Sequence, residues 1–372
     1  MNVFIDESIF EKQEFGGISR YFCELAKAIS EHSEHRVIIY GGWSQNAYLS
    51  QLESTDTLKI LFYKKRLRNL RFAKKWLNPI MRKAFFLKYR LKKERLIYHP
   101  SYFSLDSFIN KYCDASVLTV HDLIYEHLKK NKSSKKTAKR KKIQDQVDQI
   151  ITVSESTSRD LKAFNPSVSY KISVIHLATA PQSDQIKQER NATFLFVGNR
   201  GGYKNGTLTI EAFADLQAET KQNLRLLFVG GGEFDTDETE KIQALKLGNL
   251  AQQRNLSDQE LAHAYQTSIA LVFPSSYEGF GLPPLEAMQA NCPTIAQKVS
   301  SIPEVLGDWG HYMETPTKEA LRNQMKNLLQ LPMQQSNSEL ANVRTKQLQK
   351  FSWEKTAQKT IQVYQYTPPD EN

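Results

Sequence analysis

The chain contains no run of eighteen apolar residues, so no membrane-spanning helix is expected. Cysteine is scarce: Cys23, Cys113 and Cys292 are scattered over 372 residues. They have no metal-ligand spacing and cannot build a disulfide framework, which points to a reducing compartment, the cytoplasm. The N-x-S/T matches at Asn131, Asn191, Asn205 and Asn255 then read as chance. The N-terminus MNVFIDESIF lacks a basic lead-in and carries Asp6 and Glu7 within its first apolar run. That is a poor signal peptide and a good buried strand. Acidic residues are under-represented in one half only. Residues 1–180 hold 32 Lys+Arg against 18 Asp+Glu, whereas the remainder holds 18 against 22. Segment 64–95 alone has fourteen basic residues and one acid, Glu94, and 129–142 has nine basic residues and no acid.

The length is too great for one ordinary core, so two domains are expected. Short apolar runs alternate with helical patterns throughout. Strands are expected at Val3–Ile5, Val37–Tyr40, Leu96–Tyr98, Ser116–Val120, Gln149–Val153 and Lys171–Ile175. A second series follows at Thr193–Val197, Leu224–Val229, near Leu245–Leu250, and at Ala270–Phe273 and Thr294–Ala296. Runs buried on both faces and separated by helices argue for parallel sheets, here two doubly wound α/β domains. The polar stretch LATAPQSDQIKQERN marks the expected break.

Open α/β sheets bind ligands beyond the carboxyl ends of their strands, so the βα junctions matter most. In GNRGGYKN, glycines permit close backbone approach, Arg200 offers a planar fork and Lys204 a point charge, a set suited to a diphosphate. The bland alternative is a solvated loop. The segment is neither a Walker loop nor G-x-G-x-x-G, so phosphoryl and hydride transfer gain no support. In EGFGLPPLEAM, Pro283 and Pro284 suit a first helical turn, and Gly279 and Gly281 would present backbone N–H groups at the same helix start. Glu286 would fall in that turn, where the helix dipole alone could account for it, but Glu278 has no such explanation. Were both acids helical, eight residues would separate them by roughly 12 Å. That exceeds the about 5 to 9.5 Å of a glycosidase pair. Two carboxylates so placed suit gripping separate hydroxyl-bearing parts of one ligand.

His121 and Asp122 directly follow a strand, as do His99 and Tyr102 in IYHPSYFS. A histidine there is more often structural than catalytic; the carboxyl-end position beside Asp122 brings the functional reading of His121 level with the structural one. His99, Tyr102 and Asp122 are candidates for an acceptor side. The basic stretch repeats Leu67, Leu70, Ala73, Leu77, Ile80, Ala84, Leu87 and Leu91 at helical spacing, with a break expected at Asn78-Pro79. Such helices lie well on anionic membrane surfaces. The blander account is a packed helix pair with a solvated basic face, and no nucleic-acid-binding module accompanies the charge.

With FGGISRYFCEL, YHPSYF, TVHDLIYE, DQIITVSESTSRDL, FVGNRGGYKN, VGGGEF, FPSSYEGFGLPPLEAMQANCPTIA, SSIPEVLGD and FSWEKTA, the chain resembles retaining glycosyltransferases of family 4. Glu278 and Glu286 match that family's E-x7-E motif. The combination of GGISRYF with YKN is similar to enzymes that build bacterial O-antigen, capsule and other surface polysaccharides, many of which use GDP-mannose. The resemblance implies a GT-B fold, two Rossmann-like doubly wound domains facing a central cleft. An acceptor-side domain would span 1–180, a nucleotide-sugar domain 190–353, and a C-terminal helix of about 354–372 would cross back. It implies that Glu278 contacts donor-sugar hydroxyls and Glu286 the ribose, with Gly279, Phe280, Gly281 and Leu282 offering backbone donors. Arg200 and Lys204 would neutralise the leaving diphosphate, with Gly16, Gly17, Gly198 and Asn205 at the donor and His121 beside the transferred sugar. This chain departs from the family in having Asn199 after Gly198, where relatives commonly carry arginine.

The expected reaction is retaining transfer of a hexosyl unit, mannose favoured, from a GDP-sugar rather than a UDP-sugar. Neither metal nor cofactor is expected. The acceptor would be a glycan, or one carried on undecaprenyl diphosphate, with an anionic membrane surface met through residues 64–95 and no nucleic acid bound. The rival readings are a GT-B nucleotide-sugar epimerase or hydrolase, and a basic nucleic-acid-binding protein, which predicts steeply salt-dependent binding.

Overall fold

The computed structural model describes residues 1–61, 71–91, 94–128, 134–179, 191–220, 222–330 and 338–366. The chain divides into two compact units, Met1–Leu177 with Ser352–Asn372, and Ala178–Phe351. The first holds a parallel sheet of β1 (Asn2–Ile5), β2 (Arg36–Tyr40), β3 (Leu58–Leu61), β4 (Leu96–His99), β5 (Ala115–Val120), β6 (Gln149–Thr152) and β7 (Ile172–Val174). Their order is β3-β2-β1-β4-β5-β6-β7. Val3 aligns with Val37 on one side and Ile97 on the other. The strands NVFI, LIYH and ASVLTV are buried along their whole length, because helices cover both faces of a parallel sheet. The C-terminal helix Trp353–Gln365 packs on the helix Gly17–His32 within this unit, burying Ala357, Thr360, Val363 and Tyr364.

The second unit repeats the plan with β8 (Thr193–Val197), β9 (Arg225–Val229), β10 (Ala251–Arg254), β11 (Ala270–Phe273), β12 (Thr294–Gln297) and β13 (Gly310–Met313), ordered β10-β9-β8-β11-β12-β13. Its core is built on Phe194, Phe196, Phe213, Phe228 and Val272. In each sheet the strand order reverses beside the first strand, between β1 and β4 and between β8 and β11. Crevices that receive ligands form at these places.

Three strands went unrecognised in the sequence, β3, β10 and β13. All lie on sheet edges, where one side needs no apolar partner; β10 reads AQQR. The strand expected near Leu245–Leu250 is instead a short 3-10 turn at Gly248–Leu250, with β10 starting just after it. The expected break falls largely on 180–190, outside the described residues.

Parts of the basic stretch, 62–70 and 92–93, also lie outside them. What is described is one helix, Arg71–Arg90, running through Pro79 rather than breaking there. Packing overrides the local signal: Asn78 is buried and bonded to Tyr40 and Glu11, and Phe86 and Tyr89 enter the core. The row Leu77, Ile80, Leu87 and Leu91 points outward, with Trp76 73%, Ile80 64% and Leu91 81% exposed. No described helix is long and apolar enough to cross a membrane.

Candidate functional site

The crevice of the second sheet is where the charged residues of two loops meet. After β8 the chain runs through Gly198 (φ 117°) and Gly202 (φ 58°), and a Cβ at either would meet nothing within 4 Å. A short 3-10 turn, Gly202–Lys204, then ends on Asn205 in the left-handed conformation. Asparagine tolerates this backbone. Its side-chain amide donates to the Pro274 carbonyl at 2.7 Å and to Ser276 Oγ at 2.9 Å. Ser276 N–H returns a bond to the Tyr203 carbonyl at 2.8 Å. The loop after β8 is thereby tied to the loop after β11.

That tie brings Lys204 Nζ to 2.5 Å from Glu278 Oε1, with side chains 19% and 10% exposed. Glu278 and Phe280 are held in turn by two serines the motif reading passed over. Ser300 Oγ accepts from Glu278 N–H at 2.9 Å, and Ser301 Oγ reaches the Glu278 and Phe280 carbonyls at 3.0 and 2.8 Å. The signal was present as the serine pair before IPEV, but adjacency in sequence says nothing of a partner more than twenty residues away.

Gly281 (φ 109°) precedes the helix Leu282–Gln289, and a Cβ there would come within 2.9 Å of Ile302 Cδ1. Only glycine combines that backbone with that space. Pro283 and Pro284 occupy the first turn, as their missing N–H groups allow. Glu286 lies one position beyond that turn, so the helix dipole does not account for it. It is buried, and its Oε2 accepts a hydrogen bond from Tyr265 at 3.1 Å. Glu278 is not helical, so the two carboxylates belong to a loop and to a helix respectively.

Arg200 requires a larger correction. Its Nε and one Nη2 proton bond the Glu238 carboxylate at 2.7 and 3.0 Å. The remaining donors go to the carbonyls of Gly230 (3.1 Å), Gly232 (3.0 Å) and Glu233 (2.8 Å). A guanidinium has five N–H donors, and all five are spent. Arg200 therefore clamps the glycine loop after β9 and the start of the helix Thr236–Ala244 to its own loop, leaving no donor for a diphosphate. Gly206 follows from the same packing, since a Cβ there would strike Arg200.

In the first unit, Gly16 has an extended backbone, but a Cβ would lie 2.4 Å from the Gln13 side chain. Gln13 in turn accepts from Ser19 N–H at the start of the helix that Gly17 opens. A Cβ at 16 would displace the Gln13 side chain from this position. The His121 ring packs edge-on against Tyr21 at 4.9 Å, and its Nε2 is buried without a partner among the described residues. Burial holds its pKa down at about 3, so the imidazole is neutral. Asp122 caps the short helix after it through Ile124 N–H.

His99 does not line an acceptor surface. It is wholly buried, with Nδ1 2.6 Å from Tyr364 Oη and Nε2 2.9 Å from Thr119 Oγ1. Burial first, and the nearby His121 second, lower its pKa to about 3. Tyr102 is also engaged: Lys12 Nζ stands 3.8 Å over its ring and Arg140 reaches its hydroxyl at 3.4 Å. Among the described residues no group of three or more His, Cys, Asp or Glu could hold a metal ion.

A parallel-sheet crevice holding a lysine, a carboxylate and glycine loops has groups that can pair with an anion and accept from hydroxyls. Two family models match the chain in succession, glycosyltransferase family 4 over residues 15–180 and glycosyl transferases group 1 over 180–347. Together the two models run from residue 15 to residue 347, and the chain is a glycosyltransferase. It is 27% identical to O-antigen chain mannosyltransferase B of Escherichia coli over 390 aligned residues, 97% of this chain and 98% of that one. It is 30% identical over 186 residues to the O-antigen chain mannosyltransferase RfbU of Salmonella typhimurium, 49% of this chain and 51% of that one. WaaG, a glycosyltransferase involved in lipopolysaccharide biosynthesis, shares the fold at a TM-score of 0.70 and 16% identity, over 98% of this chain and 100% of that one. The fold is GT-B.

Proposed function

We propose that this glycosyltransferase moves a mannosyl unit from GDP-mannose, with retention, to a glycan or undecaprenyl-diphosphate-linked glycan of a bacterial surface polysaccharide. The observation that carries the reading is the Lys204–Glu278 pair at the β8/β11 crevice. Without donor, the two side chains neutralise each other. A diphosphate gives Lys204 a more highly charged partner, and the sugar gives Glu278 hydroxyls to accept from. Lysine then stabilises charge that grows on the leaving phosphate, which is where electrostatic catalysis is most effective. Glu286, fixed by Tyr265, is the ribose contact, and the N–H groups of Gly279–Leu282 face the donor. A neutral His121 serves as a hydrogen-bond partner to the transferred sugar rather than as a base, and front-face attack lets the leaving phosphate take the acceptor's proton. No metal or cofactor enters this scheme. The mannosyltransferase relatives support the choice of sugar.

Thermal unfolding with GDP, UDP, ADP and CMP at matched concentration tests the donor. A nucleotide at a hundred times its dissociation constant stabilises by about 2.7 kcal/mol. A selective GDP response is expected; a selective UDP response would replace the sugar donor, and no response to any would remove the donor site.

The same reading places the enzyme peripherally on an anionic membrane through the helix Arg71–Arg90. Its outward apolar row of Trp76, Ile80, Leu87 and Leu91, beside exposed Lys88, has the form of an interfacial helix. Liposome flotation of wild type against a Trp76→Ser/Ile80→Ser/Leu87→Ser variant tests it, and equal flotation would sink it. Arg82 is unsuitable for this test because it is ion-paired inward with Glu7 and Asp106 at 2.8 and 2.6 Å.

A further inference from the structure

The first unit contains a cavity of about 210 Å³ between the segment after β1 and the segment after β2. Its lining includes Glu11, Lys12, Gln13, Glu14, Trp43 and Ser44. Ser44 is 2% exposed, yet its Oγ has no hydrogen-bond partner among the described residues. A buried hydroxyl left unpaired is costly, and one that lines a cavity is available to a ligand.

The walls are held in place before any ligand arrives. Asn46 donates to the Gln13 carbonyl at 2.8 Å, and Ala47 N–H to the Glu14 carbonyl at 2.9 Å. Gln13 is fixed further by its bond to Ser19 N–H at 3.1 Å and by the tight seat at Gly16. A fixed wall lowers the ordering cost of binding.

The chemistry of the lining selects the ligand. The lining carries two glutamates and one lysine; Glu11 already accepts from Asn78, and the lysine ammonium stands over the Tyr102 ring. A phosphate would be repelled. A neutral polyhydroxyl ring would donate to the carboxylates, exchange a hydrogen bond with Ser44 and lay its C–H face against Trp43. The volume admits one ring rather than a long glycan. The three residues first considered for the acceptor, His99, Tyr102 and Asp122, are already engaged with protein groups, whereas this cavity lies at the carboxyl ends of adjacent strands, where α/β sheets hold ligands.

We infer that this cavity is the subsite for the terminal sugar of the acceptor, with Trp43, Ser44 and Glu14 as its specificity-determining contacts. The inference rests on the transferase reading above but can fail independently of it. Saturation-transfer NMR on the full chain, with a panel of methyl glycosides of mannose, glucose, galactose and N-acetylglucosamine, tests it directly. At least one glycoside is expected to bind wild type, about ten-fold more weakly to Trp43→Ala and about three-fold more weakly to Ser44→Ala. The acceptor KM should rise in parallel, with the donor KM and nucleotide-induced stabilisation unchanged. Signals absent from wild type, or equal in wild type and folded Ser44→Ala and Trp43→Ala, overturn the inference. Normal transfer with the acceptor KM unmoved in both variants overturns it and leaves the transferase reading standing. Loss of nucleotide response in wild type overturns the transferase reading, while the glycoside signals still decide the cavity.

Discussion

The two crevices of this protein share a topology and differ in what fills them. Between β1 and β4, Asp6 is wholly buried and both its oxygens are used. Oδ1 accepts from Ser8 N–H, Ser101 N–H and Ser101 Oγ at 3.1, 3.1 and 2.8 Å, and Oδ2 from Tyr98 Oη at 2.6 Å. Between β8 and β11, Glu278 pairs with Lys204, and both retain some exposure. A carboxylate satisfied by backbone, serine and tyrosine donors has become cohesion. A carboxylate paired with one partly exposed cation can exchange that partner for a ligand. The crevice is offered by strand order; its use depends on whether the protein has already spent the polar groups there.

Paired substitutions can break this contrast. Glu278→Gln should lower kcat by about 10²–10³ with little change in thermal midpoint, as expected for a group acting on the reacting ligand. Asp6→Asn should do the reverse, losing about 3 kcal/mol of stability while the folded fraction keeps its kcat. A fully folded Asp6→Asn enzyme without activity would show that the first crevice also handles substrate.

The contrast sharpens at the two cations of the loop after β8. Arg200→Met should cost about 3 kcal/mol, because a buried pair and three carbonyls lose their partner. Nucleotide should still raise its midpoint. Lys204→Met should leave the apo midpoint within a few degrees and abolish the nucleotide response. Nucleotide stabilisation lost in folded Arg200→Met and retained in Lys204→Met would exchange their roles.

The smallest effect concerns pH in the first unit. His99 and His121 titrate near 3 when folded and near 6.5 when unfolded. Between those values the unfolded chain binds more protons, so stability falls as pH drops from 6.5 toward 3. From pH 6.5 to 5 each contributes a loss of about 1 to 2 kcal/mol. Denaturant unfolding at both pH values checks this, and a flat profile in that window would mean the histidines are not buried neutral. Activity should show no step from His121 in the same window.

The residues whose roles could be read locally are those whose conformation or charge is dictated by near neighbours. The central strands are legible because burial on both faces demands unbroken apolar runs, and the helix start after Gly281 is legible from its two prolines. Three of the four edge strands, β3, β10 and β13, escape the same reading because half their surface faces water, whereas β7 keeps an apolar signal. Arg200 and Lys204 look equivalent four residues apart in one loop, and nothing in their spacing says which one Glu238 will claim. His99 and His121 both stand at strand ends, yet Tyr364, 265 positions away, occupies His99, while His121 Nε2 has no partner among the described residues. Ser44 carries no motif at all; only the folding of the segment after β2 onto that after β1 turns it into a cavity-lining group with no partner among the described residues.

The sequence by itself determined the alternation of strand and helix, the glycine and proline positions that shape the loops, and the pair of glutamates on either side of the Gly281 helix start. These follow from steric and hydrophobic rules acting over a few residues. Tertiary structure alone decided which charged groups are spent on cohesion and which remain free to meet a ligand. Hydrogen bonds saturate, and which donor reaches an acceptor first depends on distances across the fold rather than along the chain.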